Sequence, residues 1–261
     1  MSDNIVINSV DGPIGIITIN RPEALNMFDL HMLEALGHSL SEFETNADVR
    51  VIIVTGAGDR AFAAGADIAD LNSRKGLSHY LDFADVVHRL FRRFEVCEKP
   101  TISAINGLAV GGGLELLMAT DIRVASDHAK LGLPEIALGL FPGGGGSQRL
   151  IRQIAPCKAR EMMFTGDSIS AATALGFGLI NRVVPKEQLL TETMDLAQRI
   201  ARKSPLTLKF LKRTIMDGAD MPLSAALAHE QAMISLVFDS SDAHEGCAAF
   251  LAKRPPTFQG R

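Results

Sequence analysis

The stretch that most constrains this chain runs from Lys99 to Asp121, KPTISAINGLAVGGGLELLMATD. TISAI reads as a strand, the glycines after it as a turn, and Gly111–Gly113 as the opening of a helix. From Pro100 to Thr120 the only charged side chain is Glu115. Met118 and Ala119, three and four residues on, share its helical face, so that face reads as unsolvated. A lone carboxylate there is costly to bury without partners, and burial raises its pKa. A first-turn glutamate can also simply complement the helix dipole. The unsolvated face favours a functional carboxylate.

A second stretch repeats the signature. In Leu131–Gln148, LGLPEIALGLFPGGGGSQ, the only charge is Glu135. It follows Pro134, a residue suited to a helix start. Two isolated carboxylates, each beside a glycine cluster, suggest an acid/base pair serving one substrate.

Around these stretches, strands and helices alternate. IGIITI (Ile14–Ile19), VIIVT (Val51–Thr55), TISAI, IRVA (Ile122–Ala125) and LINRVV (Leu179–Val184) read as strands, with a short piece near Ala129–Leu131. Leu30, Leu33, Leu36, Leu40 and Phe43 recur at helical spacing, and Leu81–Glu95 reads as a helix. SQRLIRQI and AREMMFT read as two more. Gly56–Ile68 reads as a small-residue loop entering a short helix. After Pro185 everything reads as helical. The pattern predicts an α/β core followed by an α-helical C-terminal part. Strand–turn–helix units recur without a strict period, so a weakly repeated coil of such units is one expectation.

The chain has 261 residues, enough for one large domain or a domain with an appendage. A net charge of -4 gives no reason to expect nucleic acid or an anionic membrane as partner. Arg202, Lys203, Lys209, Lys212 and Arg213 form one basic cluster, read as a solvated helix face rather than an RNA or phosphate site. Cys97, Cys157 and Cys247 are far apart and odd in number. That argues for reduced thiols in a cytosol-like compartment, not a disulfide framework or zinc site. MSDNIVINS has no basic or apolar region of a secretory signal, and no apolar run reads as a membrane span. The expected setting is cytoplasmic.

Rival chemistries fail on context. VIIVTGAGDRA contains G-x-G-x-x-A after a strand, the shape of a dinucleotide fingerprint. FAAGADIAD then leaves little room for the long helix that motif requires, and HYLDFADVVHRL looks helical where a second strand should end in an acid. A Tyr-x-x-x-Lys pair is absent, since Ala84 stands four residues after Tyr80, the only tyrosine. GGGGSQR has Gln148 where a Walker loop needs Lys, and Arg149 where G-x-S-x-G needs its last Gly. The histidines are scattered. His31 and His38 share one helix but sit seven apart with no acidic cluster, so no metal site is expected.

What remains needs neither metal nor nucleophile. Gly65–Ala66–Asp67 and Gly111–Gly113 can present free backbone N–H groups, and small residues there let a ligand approach closely. Two such N–H groups make an oxyanion hole, and two carboxylates make acid/base groups. That constellation suits chemistry through a thioester enolate. Either glycine cluster alone is equally explained by tight strand–helix packing.

At these residues the sequence resembles the crotonase (enoyl-CoA hydratase/isomerase) superfamily, and most of all its enoyl-CoA hydratases. The resemblance covers nearly the whole chain. AFAAGADI (Ala61–Ile68), NGLAVGGGLEL (Asn106–Leu116), LPEIALGLFPGGGGSQRL (Leu133–Leu150) and AKRPPTF (Ala252–Phe258) resemble family blocks in order and spacing. It implies a crotonase-like spiral of ββα turns over residues 1–195 and a C-terminal α-helical trimerisation region over 196–261. It also implies a homotrimer, or a homohexamer made of two trimers. No metal or redox cofactor is implied, because coenzyme A arrives as part of the acyl-CoA substrate. Ala66 and Gly112 match the oxyanion-hole positions, and Glu115 and Glu135 the two hydratase glutamates. Gly143 matches a glycine beside the second glutamate. Ala24, Ala64, Asp67 and Ile68 match positions along the adenosine and pantetheine path. Phe250 and Lys253 match C-terminal residues that reach coenzyme A, often from a neighbouring subunit. The superfamily also holds isomerases, dehalogenases, decarboxylases and hydrolases. Isomerases often retain only the second glutamate, so both together favour hydration of a trans-2-enoyl-CoA to a 3-hydroxyacyl-CoA. Leu114, Leu116–Met118 and the extra Gly144 depart slightly from the pattern and bear on acyl-chain preference.

Overall fold

A computed structural model describes residues 4–261. Met1–Asp3, the start of the segment read above for a leader, lie outside the described residues. Ten strands are present among those described: β1 (Val6–Asp11), β2 (Ile14–Ile19), β3 (Val51–Gly56), β4 (Ala61–Ala63), β5 (Thr101–Ile105), β6 (Leu108–Val110), β7 (Ile122–Ser126), β8 (Lys130–Gly132), β9 (Ile169–Ser170) and β10 (Arg182–Val184). They form two sheets, ordered β1-β2-β3-β5-β7-β10 and β4-β6-β8-β9. Neighbours are parallel except β1 against β2 and β8 against β9.

The first four helices are α1 (Leu30–Thr45), α2 (Ile68–Ser73), α3 (Asp85–Val96) and α4 (Gly112–Met118). Then come α5 (Gly146–Gln153), α6 (Pro156–Thr165), α7 (Ala171–Gly176) and α8 (Leu189–Ala201). α9 (Pro205–Ala219), α10 (Leu223–Phe238) and α11 (Ser241–Leu251) complete the chain. No described helix is long and apolar enough to cross a membrane.

The connectivity is a coil of ββα turns. Each turn places its first strand in the large sheet and its second in the small one, then adds a helix: β3–β4–α2, β5–β6–α4, β7–β8–α5. The expected spiral is therefore present. The large-sheet strands of these turns begin at residues 51, 101 and 122, so the turns are unequal and no sequence period could reveal them. β4 and β6 lay in stretches read as loop or turn. At three residues each they carry no periodic signal and exist through their pairing with neighbours. β1, β9 and α7 also lie outside the elements that the sequence pattern predicts.

Both faces of the large sheet are buried along its central parallel strands β2, β3, β5 and β7, as such aliphatic strands require. On one face Ile14, Val51, Ile53, Ile102 and Val124 pack with Leu189, Ala197 and Ala201 of α8. On the other, Ile17, Ile52 and Val54 join the main core with Leu33, Leu36, Leu40 and Phe43 of α1. The Asp29 carboxylate caps α1 by accepting the Met32 N–H. The expected division at residue 195 falls inside α8, which lies against the sheet on both sides of that point. Two members of the basic cluster clamp α9 to the body: Lys212 pairs with Asp121 at 2.8 Å and Lys209 with Glu98 at 2.7 Å. α9 buries no residue and α10 only Val237.

Candidate active site

The small sheet builds the site. β4, β6 and β8 are adjacent and parallel, so the segments leaving their C-terminal ends emerge side by side. Those segments are Ala64–Ala66, Gly111–Gly112 and Leu133–Glu135. Crevices outside the carboxyl ends of parallel strands are a recurring place for ligands. Here a cavity of about 440 Å³ opens against all three segments.

Two glycines make the close approach possible. Gly65 and Gly111 have φ of +86° and +54°, a region that side chains rarely adopt. A methyl built on Gly112 would stand 3.7 Å from the Ala66 nitrogen, so the two backbones run together at the cavity wall. Neither the Ala66 nor the Gly112 N–H has a hydrogen-bond acceptor among the described residues. Gly113 does something else: a Cβ there would strike the Ala63 carbonyl, so its absence lets α4 sit on β4. Packing and ligand approach are thus divided among neighbouring glycines.

α4 is buried from Gly113 to Met118, Glu115 included. The Glu115 side chain does not serve as a dipole complement at the surface. Its Oε1 accepts the N–H groups of Gly144 and Gly146 at 2.8 and 2.7 Å, and Oε2 has no donor among the described residues. Burial pushes its pKa up to about 7, and the nearby Glu135 charge adds to the rise. The two glycine N–H groups and the more distant Arg149 oppose it. Burial therefore outweighs these opposing groups. Glu135 is half-buried in the short 3-10 turn Pro134–Leu138, and desolvation raises its pKa too. Its Oε2 is buried without a partner among the described residues, a position that a neutral carboxyl tolerates better than a carboxylate.

Of the residues singled out in the sequence, Ala64, Ala66, Ile68, Gly112, Glu115, Glu135 and Gly143 all line this one cavity. Gly143, matched to a position beside the second glutamate, shares the cavity lining with Glu135, while its neighbours Gly144 and Gly146 bond Glu115, because the start of α5 docks on α4. Four residues do not line the cavity. Asp67 caps α2 by accepting the Ala69 and Asp70 N–H groups, and pairs with Arg21 at 3.3 Å. Ala24 ends the 3-10 turn Pro22–Ala24. Phe250 is 82% exposed on α11, and Lys253 is exposed just beyond it. Sequence reading missed the apolar wall, which includes Phe28, Phe83, Val87, Phe91 and Phe141. These come from distant elements, and as single apolar residues they look like ordinary core. It also missed Arg74, which lines the wall paired to Asp70 at 2.9 Å and lies over the Phe83 ring.

The arrangement is a mostly apolar cavity carrying two free N–H groups and two carboxyl groups with raised pKa. It can stabilise a developing oxyanion while moving protons to and from neighbouring carbons.

Comparison with known proteins gives the family and the fold. Residues 10–261 match the family model described as enoyl-CoA hydratase/isomerase. The short-chain-enoyl-CoA hydratase of Clostridium acetobutylicum is 37% identical over 254 residues, covering 97% of each chain. The crotonyl-CoA hydratase of Syntrophomonas wolfei is 37% identical over 256 residues, covering 98% of each. The crystal structure of an enoyl-CoA hydratase from Bacillus anthracis superposes with a TM-score of 0.95 at 34% identity, covering 98% of this chain and all of that one.

Proposed function

The chain belongs to the enoyl-CoA hydratase/isomerase (crotonase) family, and on that premise we propose that it hydrates trans-2-enoyl-CoA thioesters to 3-hydroxyacyl-CoA. The observation that carries this reading is the convergence of Glu115 and Glu135 on one cavity beside the unpaired Ala66 and Gly112 N–H groups. An isomerisation needs one carboxylate to shuttle a proton, whereas hydration uses two.

In the proposed reaction the thioester carbonyl oxygen sits between the two N–H groups. Ionised Glu115 accepts a proton from water through the free Oε2 as the water oxygen attacks C3. Negative charge develops on the thioester oxygen, where the N–H pair stabilises it. Protonated Glu135 then delivers a proton to C2. This leaves Glu115 protonated and Glu135 ionised, and passage of that proton from Glu115 to Glu135 resets the pair, so water is consumed whole, with OH at C3 and H at C2. One charge shared between two raised carboxyl groups matches this division of labour. Coenzyme A enters with the substrate and no other cofactor takes part.

The same reading extends to the assembly. Leu211, Ile215, Leu227, Ile234, Leu236 and Phe238 are large apolar residues exposed on α9 and α10, more than a solvated helix pair needs. This supports a homotrimer, or a homohexamer made of two trimers, with Phe250 and Lys253 reaching coenzyme A in a neighbouring subunit. The exposed Cys157 and Cys247 are free thiols, which suits a reducing cytoplasm. The acidic balance gives no support to a nucleic-acid partner.

The direct test is loss of the conjugated enoyl-thioester absorbance with crotonyl-CoA and with longer and branched enoyl-CoAs. A folded, assembled protein that leaves every such substrate unchanged overturns the reading.

A further inference from the structure

Arg149 lies outside the cavity wall, yet it is tied to the loop that holds Glu115. Its side chain is only 14% exposed. From the first turn of α5 the guanidinium reaches back, and Nη1 donates to the Gly144 carbonyl at 3.1 Å. Its other edge faces Glu95 of α3, with Nε and Nη2 donating to the two carboxylate oxygens at 3.4 and 3.2 Å. Glu95 is also held by Arg92 at 2.9 Å. Although burial opposes it, these arginines keep the Glu95 carboxyl below its usual pKa, which favours its ionised form.

The loop is shaped around this side chain. Gly145 has a φ of +107°, and a Cβ there would collide with Arg149 Nη1. The Gly144 peptide is thus held at its carbonyl by Arg149, while the Gly144 and Gly146 N–H groups on either side of Gly145 hold Glu115 Oε1. Three helices, α3, α5 and α4, are linked through one turn.

We propose that Arg149, braced by Glu95, is a positioning residue that fixes the Gly144–Gly146 turn and so sets the orientation and charge state of the Glu115 carboxylate. This rests on the acid/base role given to Glu115 above. The ionisable groups facing Glu115 from the elements around it are Glu135 from the turn after β8 and Arg149 from α5, with Arg74 and His79 on the wall of the shared cavity. Arg149 is the one whose cationic head is fixed to the loop that binds Glu115. Its positive charge favours the ionised form, and the Glu95 charge partly offsets it.

The experiment is a set of kcat and KM profiles against pH for the hydration reaction, with circular dichroism and melting curves on each variant. Arg149→Met should lower kcat about tenfold to a hundredfold, in keeping with the cost of a misplaced catalytic group, while KM changes far less. The acid limb of the kcat profile should move to higher pH, because Glu115 loses a stabilising cation. Glu95→Gln should move that limb the other way, since Arg149 then acts uncompensated. Arg149→Lys should bring the limb back toward wild type while restoring kcat only in part, because one ammonium group cannot make both contacts. A residue that merely packs would move neither limb. If Arg149→Met does not fold, the opposite signs expected for Glu95→Gln and the split expected for Arg149→Lys decide the matter. Wild-type kcat and acid limbs in the folded variants overturn the proposal while Glu115→Gln remains inactive. Full activity of Glu115→Gln would instead overturn the acid/base reading itself, and the positioning role with it.

Discussion

At the scale of single residues, the two glutamates divide one proton-transfer task. Glu115→Gln and Glu135→Gln should each lower kcat for hydration by roughly 10²–10⁴, the usual worth of a positioned acid or base. The double variant should lose much less than the product, because both groups act on one reaction event. Following double-bond isomerisation beside hydration separates the two activities. An isomerase would lose that shift with Glu135→Gln and largely keep it with Glu115→Gln, and unimpaired hydration by folded Glu115→Gln would remove the hydratase assignment. Glu115 also carries a stability cost. Between its ordinary pKa of 4.5 and its value of about 7 in the fold, the native state binds more protons than the unfolded chain, so stability falls as pH rises through that window. Integrated, the loss is about 3 kcal/mol. Glu115→Gln should therefore gain on the wild type between pH 5 and pH 8 in urea melts, and parallel pH dependences would show that Glu115 ionises without cost. Both glutamates were visible in the sequence, because an isolated charge in an apolar run is a purely local signal. Arg149 and Gly146 were not, because their importance lies in what they touch.

At the scale of elements, α4 shows how three consecutive glycines differ. Gly112 is the first residue of the helix, where proline is tolerated. Gly112→Pro should lose an N–H, at a cost of about 10²–10³ in turnover, and strain against the Phe28 ring, 3.3 Å from the added Cβ, adds to that. Retained turnover in a folded, substrate-binding variant would refute the oxyanion-hole role. Gly113→Ala should act on stability instead, by driving a methyl into the Ala63 carbonyl, at a cost of about 1–3 kcal/mol. Chemical denaturation of the two variants reads the difference. The far end of α4 is fixed by Arg123, a buried guanidinium that donates to the Leu117, Thr120 and Leu179 carbonyls. Glu115 thus stands on a helix seated on a strand at one end and tied off at the other. The sequence marked the helix start through its glycines, but gave no sign of which strand it would rest on.

At the scale of the molecule, light scattering at micromolar concentration should report a mass of three or six chains, and a monomer would contradict the proposed use of α9 and α10. Lys253→Ala should raise KM for the CoA ester more than it lowers kcat, as expected for a contact remote from the reacting atoms. An effect confined to kcat would count against a coenzyme A role. By itself the sequence determined the alternation of strands and helices, the all-helical end, the isolated carboxylates and the glycines that permit close approach. These are local properties: periodicity, desolvation cost and backbone freedom are written in neighbouring residues. Tertiary structure decided the rest. The three-residue strands β4 and β6 form only because partners lie beside them, and their parallel pairing brings Ala66, Gly112 and Glu135 to one edge. The docking of α5 on α4 gave the Gly144 and Gly146 N–H groups to Glu115. Such contacts join positions about thirty residues apart in sequence, and no local pattern specifies which pair will meet.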